Sequence, residues 1–245
     1  MYPVELHVLV FLTAIISSSL GGLILLFDWI KLGRRHPFLL HWGVGLLLVY
    51  WYSLPWLVTS QGLPMMGLGL NGLFVVGFVL TFLGLLLLTL GVTKLSPLPR
   101  QTLVVDSLAG WYLLFLISMV AYFTTPRLMQ AVPLWTIMIS FYAPVQLILS
   151  YSLWRWYKTR QHVDTAAGYM GLRLLCWAGV TQLGITVAYF VRLLYYPPEL
   201  WFFALFNLPT VFIFQALTIV LLLVGGLLIR SEYYSHLSSA APDVV

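Results

Sequence analysis

Apolar residues run along this chain in seven long blocks, at about 7–30, 38–60, 70–94, 103–125, 132–157, 168–196 and 200–229, each bounded by charge, Pro or Gly. Within a block the apolar side chains fall on every side of a helix rather than along one stripe, as they do in helices embedded in lipid. Each block reaches the roughly 20 residues that cross a hydrocarbon core of about 30 Å. Strands of a membrane barrel would alternate apolar and polar residues over about ten positions, and no such alternation is present. The pattern predicts an all-α integral membrane protein, a seven-transmembrane-helix bundle that fills 1–245 as a single membrane domain.

Charge sets the direction of threading. With the N-terminus outside and the C-terminus cytoplasmic, the inner segments and helix ends hold Lys31, Arg34, Arg35, Lys94, Arg100, Arg155, Lys158, Arg160, Arg173 and Arg230. The outer side then keeps only Arg127 and Arg192. Cytoplasmic loops carry this excess of Lys and Arg. Aromatics gather at the opposite helix ends, at Tyr50, Trp51, Tyr52 and Trp56, at Tyr122 and Phe123, and at Tyr195, Tyr196 and Trp201. They read as an interfacial belt.

Composition narrows the classes further. Hydrophobic residues make up 61% of the 245 and charged residues 8%, with a mean hydropathy of +0.98; a soluble domain carries about 25% charge. The net charge of +5 does not imply nucleic acid, because the basic residues lie in short clusters between apolar blocks. Anionic lipid headgroups suit such clusters. Residues 1–6 contain no Lys or Arg and include Glu5, so the first block reads as a permanent span rather than a cleaved signal. The loops, and the fifteen residues after Arg230, are too short for an output domain. Neither Asn71-Gly-Leu nor Asn207-Leu-Pro is a glycosylation sequon, and a multi-pass location in a bacterial plasma membrane is expected.

Val120-Ala-Tyr-Phe123 in the fourth block recurs as Val187-Ala-Tyr-Phe190 in the sixth, and the second block has Val49-Tyr-Trp-Tyr52 at comparable depth. Trp42, Trp111 and Trp177 precede these segments by seven to ten positions. Three hairpins and a seventh helix would produce this spacing. A shared need for aromatics at the outer interface would produce it equally.

Residues able to carry chemistry are few. His7, His36, His41, His162 and His236 lie at different depths and form no HExxH pattern, and Cys176 is a lone thiol. No metal site, catalytic site or intrinsic cofactor is expected, and His41 reads as an interfacial residue bonded to a neighbour. Asp28 and Asp106 sit near the inner ends of the first and fourth helices, in reach of basic residues such as Arg173, and read as an ion-pair network at the cytoplasmic face. The topology is similar in helix count to seven-helix rhodopsins, but 200–229 lacks the lysine that binds retinal. A seven-helix bacterial sensor region is similar in count and orientation only.

The mid-depth polar residues are neutral. Pro144 and Pro209 each free a backbone carbonyl about one turn earlier, which must find a partner inside a membrane. Tyr142, Gln146, Trp177, Gln182, Asn207 and Gln215 are therefore a candidate polar cavity among the last three helices. Their alternative role is to bridge helices, at roughly 0.6 kcal/mol per bond. Gly77, Gly84 and Gly91 recur every seven residues and form a packing or docking stripe on the third helix. The function expected is a non-catalytic membrane subunit that docks onto and stabilises a larger membrane complex. Its partners would be the bilayer and other membrane subunits, with bound lipid and room for a pigment at the seam. The alternative is a seven-helix receptor or transporter for a small neutral or aromatic solute.

Overall fold

A computed structural model describes residues 4–34, 36–51, 68–95, 101–125, 127, 134–159, 163–195, 214 and 217–230. Among these residues the chain is all-helical: α1 Val4–Lys31, α2 Pro37–Leu48, α3 Leu68–Leu95, α4 Gln101–Thr124, α5 Leu134–Thr159, α6 Ala166–Tyr195 and α7 Leu217–Arg230. Four stretches, Leu12–Lys31, Val75–Leu95, Leu103–Thr124 and Ala166–Ala188, are long and apolar enough to cross a membrane. The chain is thus a helical protein of membrane type. α5 has the length, but its serines, Gln146, Arg155 and Lys158 dilute the apolar run. Much of the expected second and seventh spans, 52–60 and 200–213, lies outside the described residues.

The turn after α1 shows how local sequence sets an element's end. The Arg34 amide donates to the Trp29 carbonyl at 2.9 Å and the Gly33 amide to Ile30 at 3.1 Å, closing the last turn. Gly33 and Arg34 have φ of 64° and 63°. Glycine adopts that region freely, whereas arginine does so at a cost. The Arg34 guanidinium lies over the Trp29 ring, 5.6 Å from its centroid, which favours the strained residue. Pro37 then opens α2, where its fixed φ suits a helix and its missing N–H is not needed.

Consecutive helices pair antiparallel through small residues. Gly22 faces Gly43 across α1 and α2: a Cβ on Gly22 would lie 2.6 Å from the Gly43 carbonyl oxygen. Gly45 faces Gly84 across α2 and α3, and Gly171 faces Gly225 across α6 and α7. Gly43 and Gly45 are two residues apart, about 200° around a helix of 3.6 residues per turn. α2 therefore presents one glycine to α1 and the other to α3, and is clamped between them. Of the stripe expected on α3, Gly77, Gly84 and Gly91 are all buried. Gly84 receives α2 backbone and Gly91 receives the Trp42 ring, so both face inward.

α3 is the most buried of the long apolar helices and packs against α2, α4 and α5. Its Phe82 stacks on Tyr142 of α5 at 5.1 Å between centroids and meets Phe115 of α4 at 4.6 Å. Phe82 and Phe115 are fully buried. α4 contributes this edge and leaves most of its surface outward, at Leu103, Leu113, Leu114, Ile117 and Val120.

Substitution of the paired glycines tests the packing. A Cβ on Gly84 would sit 2.7 Å from the Val49 nitrogen and 2.8 Å from the Gly45 oxygen, both backbone atoms. Gly84→Leu should lower stability in detergent by about 3 kcal/mol, the upper end for overpacking. A Cβ on Gly110 meets nothing within 4 Å, and Gly110→Leu should leave thermal unfolding of the isolated chain unchanged. Equal unfolding temperatures for the two variants would refute the close approach of α2 and α3.

Candidate functional site

α1 and α7 end together. Asp28, in the last turn of α1, is 1% exposed, and the Arg230 side chain at the end of α7 is 41% exposed. The guanidinium Nε and Nη2 donate to the two carboxylate oxygens at 2.7 and 2.8 Å. This two-pronged geometry matches the fork of arginine to a carboxylate and makes a strong charge-assisted pair. It ties positions 202 residues apart, and it brings the C-terminal ends of α1 and α7 to the same end of the bundle.

Beside this pair lies a cavity of about 230 Å³, walled by α1, α2 and α7, with Leu95, Trp156 and Leu175 from α3, α5 and α6 closing it. Its lining is almost wholly apolar; Asp28 and Arg230 are its charged members. Trp42 forms one wall and is fixed from behind. Its indole N–H donates to the Leu88 carbonyl at 3.2 Å, and its ring occupies the space a side chain on Gly91 would need. Gly21 and Gly226 border the cavity, and no heavy atom lies within 4 Å of a Cβ built on Gly226. The void lies beside Gly226 of α7, which meets no partner.

The polar residues expected to form a cavity among α5, α6 and α7 are placed separately. Tyr142 donates its hydroxyl to the Phe78 carbonyl on α3 at 2.7 Å. Gln146 is buried and accepts from the Thr186 hydroxyl of α6 through its side-chain oxygen. Gln182 is half-buried on the same helix, and its carbonyl lies 3.5 Å from that hydroxyl. Trp177 is 52% exposed and points outward. Asn207 and Gln215 lie outside the described residues. Gln146 thus meets Thr186 through its side chain, whereas the Gln182 contact is only its backbone carbonyl one turn earlier on α6, and Tyr142 and Trp177 face elsewhere.

Other mid-depth hydroxyls also join helices. Ser150 donates to the Gly179 carbonyl at 2.8 Å, and Thr181 and Thr218 share a bond of 2.7 Å across α6 and α7. Near the Pro144 break, the Trp111 indole donates to the Phe141 carbonyl at 2.9 Å. The recurrent tryptophans thus behave alike in two cases: Trp42 and Trp111 each donate to a backbone carbonyl of another helix, and Trp177 points outward. Among the described residues, the buried Trp29 Nε1, Thr136 Oγ1 and Arg155 Nη1 have no hydrogen-bond partner.

Of the expected ion-pair network, Asp28 takes Arg230, while Asp106 on α4 and Arg173 on α6 are exposed. Arg230 stood in the sequence as an ordinary inner-face charge. The signal that singles it out is the parity of the expected threading, in which the first and last of seven alternating spans would end at the same face. His41 donates through Nδ1 to the Pro37 carbonyl at 2.5 Å. Among the described residues no three His, Cys, Asp or Glu side chains gather as metal ligands would. No family model, characterised protein or solved structure matches this chain.

The pair should respond asymmetrically to mutation. Arg230→Met removes the forked guanidinium from a buried carboxylate and should destabilise by about 3 kcal/mol, the lower end for a broken buried pair. Asp28→Asn leaves a guanidinium already open to water, at a cost of about 1 kcal/mol. Thermal unfolding in detergent would measure both. An equal loss for the two would show that the carboxylate is not buried as described.

Proposed function

We propose that the chain is a non-catalytic integral membrane subunit that docks onto and stabilises a larger membrane complex. It would thread seven times from an outer N-terminus to a cytoplasmic C-terminus, in a bacterial plasma membrane. The antiparallel sequence of helix contacts and the meeting of α1 and α7 ends support that threading, as does the distribution of Lys and Arg.

One observation carries the docking reading: the outward stripe of α4. Asp106, Gly110, Leu113, Leu114 and Ile117 are all exposed and follow the spacing that places residues on one helix face. Asp106 lies in the second turn of α4, near its expected inner end, and a basic group of a partner would meet its exposed carboxylate there. A glycine with open space around it admits a close second helix. The inward position of Gly84 and Gly91 leaves α4, and not the α3 stripe, as the surface to dock. Lipid would fill the seam, with room there for a pigment.

Purification from native membranes in a gentle detergent, followed by mass spectrometry and an absorbance spectrum, tests this reading. Stoichiometric membrane partners should co-purify, and Asp106→Asn combined with Gly110→Leu should cut their recovery at least tenfold. Gln182→Ala should leave assembly intact. A chain that runs alone or as a homo-oligomer would overturn the subunit reading.

A second reading, a receptor or transporter for a small neutral or aromatic solute, draws support from the 230 Å³ cavity and from the buried Gln146–Thr186 bond between α5 and α6. It predicts saturable solute binding by the isolated chain, abolished by Gln182→Ala while assembly survives.

A further inference from the structure

The cavity beside Asp28 and Arg230 has the form of an amphiphile site. Along α1 its lining runs from Ser17 to Asp28, about 16 Å of helix at 1.5 Å per residue. One end is the ion pair, and apart from Ser17 at the far end the remainder of the lining is apolar. Leu20, Ile24 and Leu227 line it and are also exposed at the bundle surface. Its rim therefore lies between α1 and α7 among residues that face lipid, and bilayer components reach it sideways without crossing water. Pockets for drug-sized molecules hold about 300–1,000 Å³; at about 230 Å³ this one suits a single chain better than a fused-ring body.

We propose that this cavity binds one acyl chain of a membrane phospholipid, with the chain lying along α1 and α7 and the polar head at the level of the Asp28–Arg230 pair. The occupant follows from the setting. A largely apolar void flanked by lipid is filled by the commonest apolar group that can enter it. The charged pair at one end favours a chain whose other end is polar. The bound chain would supply the contacts that α7 withholds at Gly226, and would fasten α7 to α1 and α2. This inference rests on the chain being a membrane bundle and is independent of the docking reading.

The test uses the purified full chain in detergent micelles, titrated with phosphatidylcholine carrying a bromine-labelled acyl chain, which quenches nearby tryptophan fluorescence. Trp42 and Trp156 line the cavity and are buried from the micelle, at 9% and 2% exposure. Wild type should show a saturable quenching phase at one lipid per chain, above the gradual quenching of surface tryptophans. Gly226 lines the cavity and a Cβ there meets nothing within 4 Å, so Gly226→Leu should abolish the saturable phase without lowering the unfolding temperature. Gly110→Leu, on α4, should retain it. Gradual quenching alone in wild type would overturn the proposal, whether or not the Gly226 variant folds. A saturable phase that persists in a folded Gly226→Leu chain would overturn it as well.

Discussion

The bundle depends on backbone-to-backbone approach at paired glycines. Between helices in lipid there is no hydrophobic force to press apolar faces together, because acyl chains are as apolar as leucine. Attraction must come from dispersion and from hydrogen bonds, and both fall away steeply with distance. Gly22 with Gly43, Gly45 with Gly84, and Gly171 with Gly225 remove the side chains that would hold the helices apart. Their positions also determine which helices meet. Two glycines on opposite sides of the short α2 seat it between α1 and α3, and this fixes Trp42 against Gly91. The same residue type has the opposite effect where no partner faces it. Gly226 confronts open space, so its missing side chain leaves a cavity instead of closing a gap.

Polar groups act as fasteners on this frame. A hydroxyl or indole N–H inside a membrane has no water to turn to, and several here take a carbonyl on another helix. Tyr142 reaches Phe78, Ser150 reaches Gly179 and Trp111 reaches Phe141, joining helices that dispersion alone would hold loosely. Asp28 with Arg230 differs in kind. Burying a carboxylate is costly, and the pair does little more than offset that cost, but its geometry admits few alternatives. It specifies that the end of α7 lies beside the end of α1, and so places the seventh helix next to the first.

The helices were legible because a lipid environment imposes length and apolarity on each one. The expected and described bounds of α1, α3, α4, α5 and α6 differ by at most three residues at either end. The glycine stripe on α3 was legible as well, since a repeat of seven residues marks one narrow face. Its partner was not, because Gly43-Val-Gly45 sits in a short segment without a repeat. The polar residues were harder still. Sequence places Tyr142, Gln146, Trp177 and Gln182 at similar depth, but depth says nothing of direction around a helix. Tyr142 turns to α3, Trp177 turns outward, and Gln146 bonds Thr186 of α6, so the four do not form one cavity. The Asp28 partner lay 202 positions away, beyond any local pattern and accessible only through the parity of the threading.

Two surfaces of the bundle can consequently act without interfering. The cavity is built by α1, α2 and α7 with single residues from α3, α5 and α6, and α4 supplies none of its lining. α4 packs on α3 and α5 through the Phe82, Phe115 and Phe141 rings and leaves its Asp106 stripe outward. A partner held at α4 would bear on the aromatic core, whereas a chain held at α7 would bear on the glycine-paired helices. α3 and α5 are common to both, α3 through Phe82 on one side and Gly84 and Gly91 on the other, α5 through Phe141 and Trp156. Any coupling between a docked partner and a bound lipid must therefore run through those two helices.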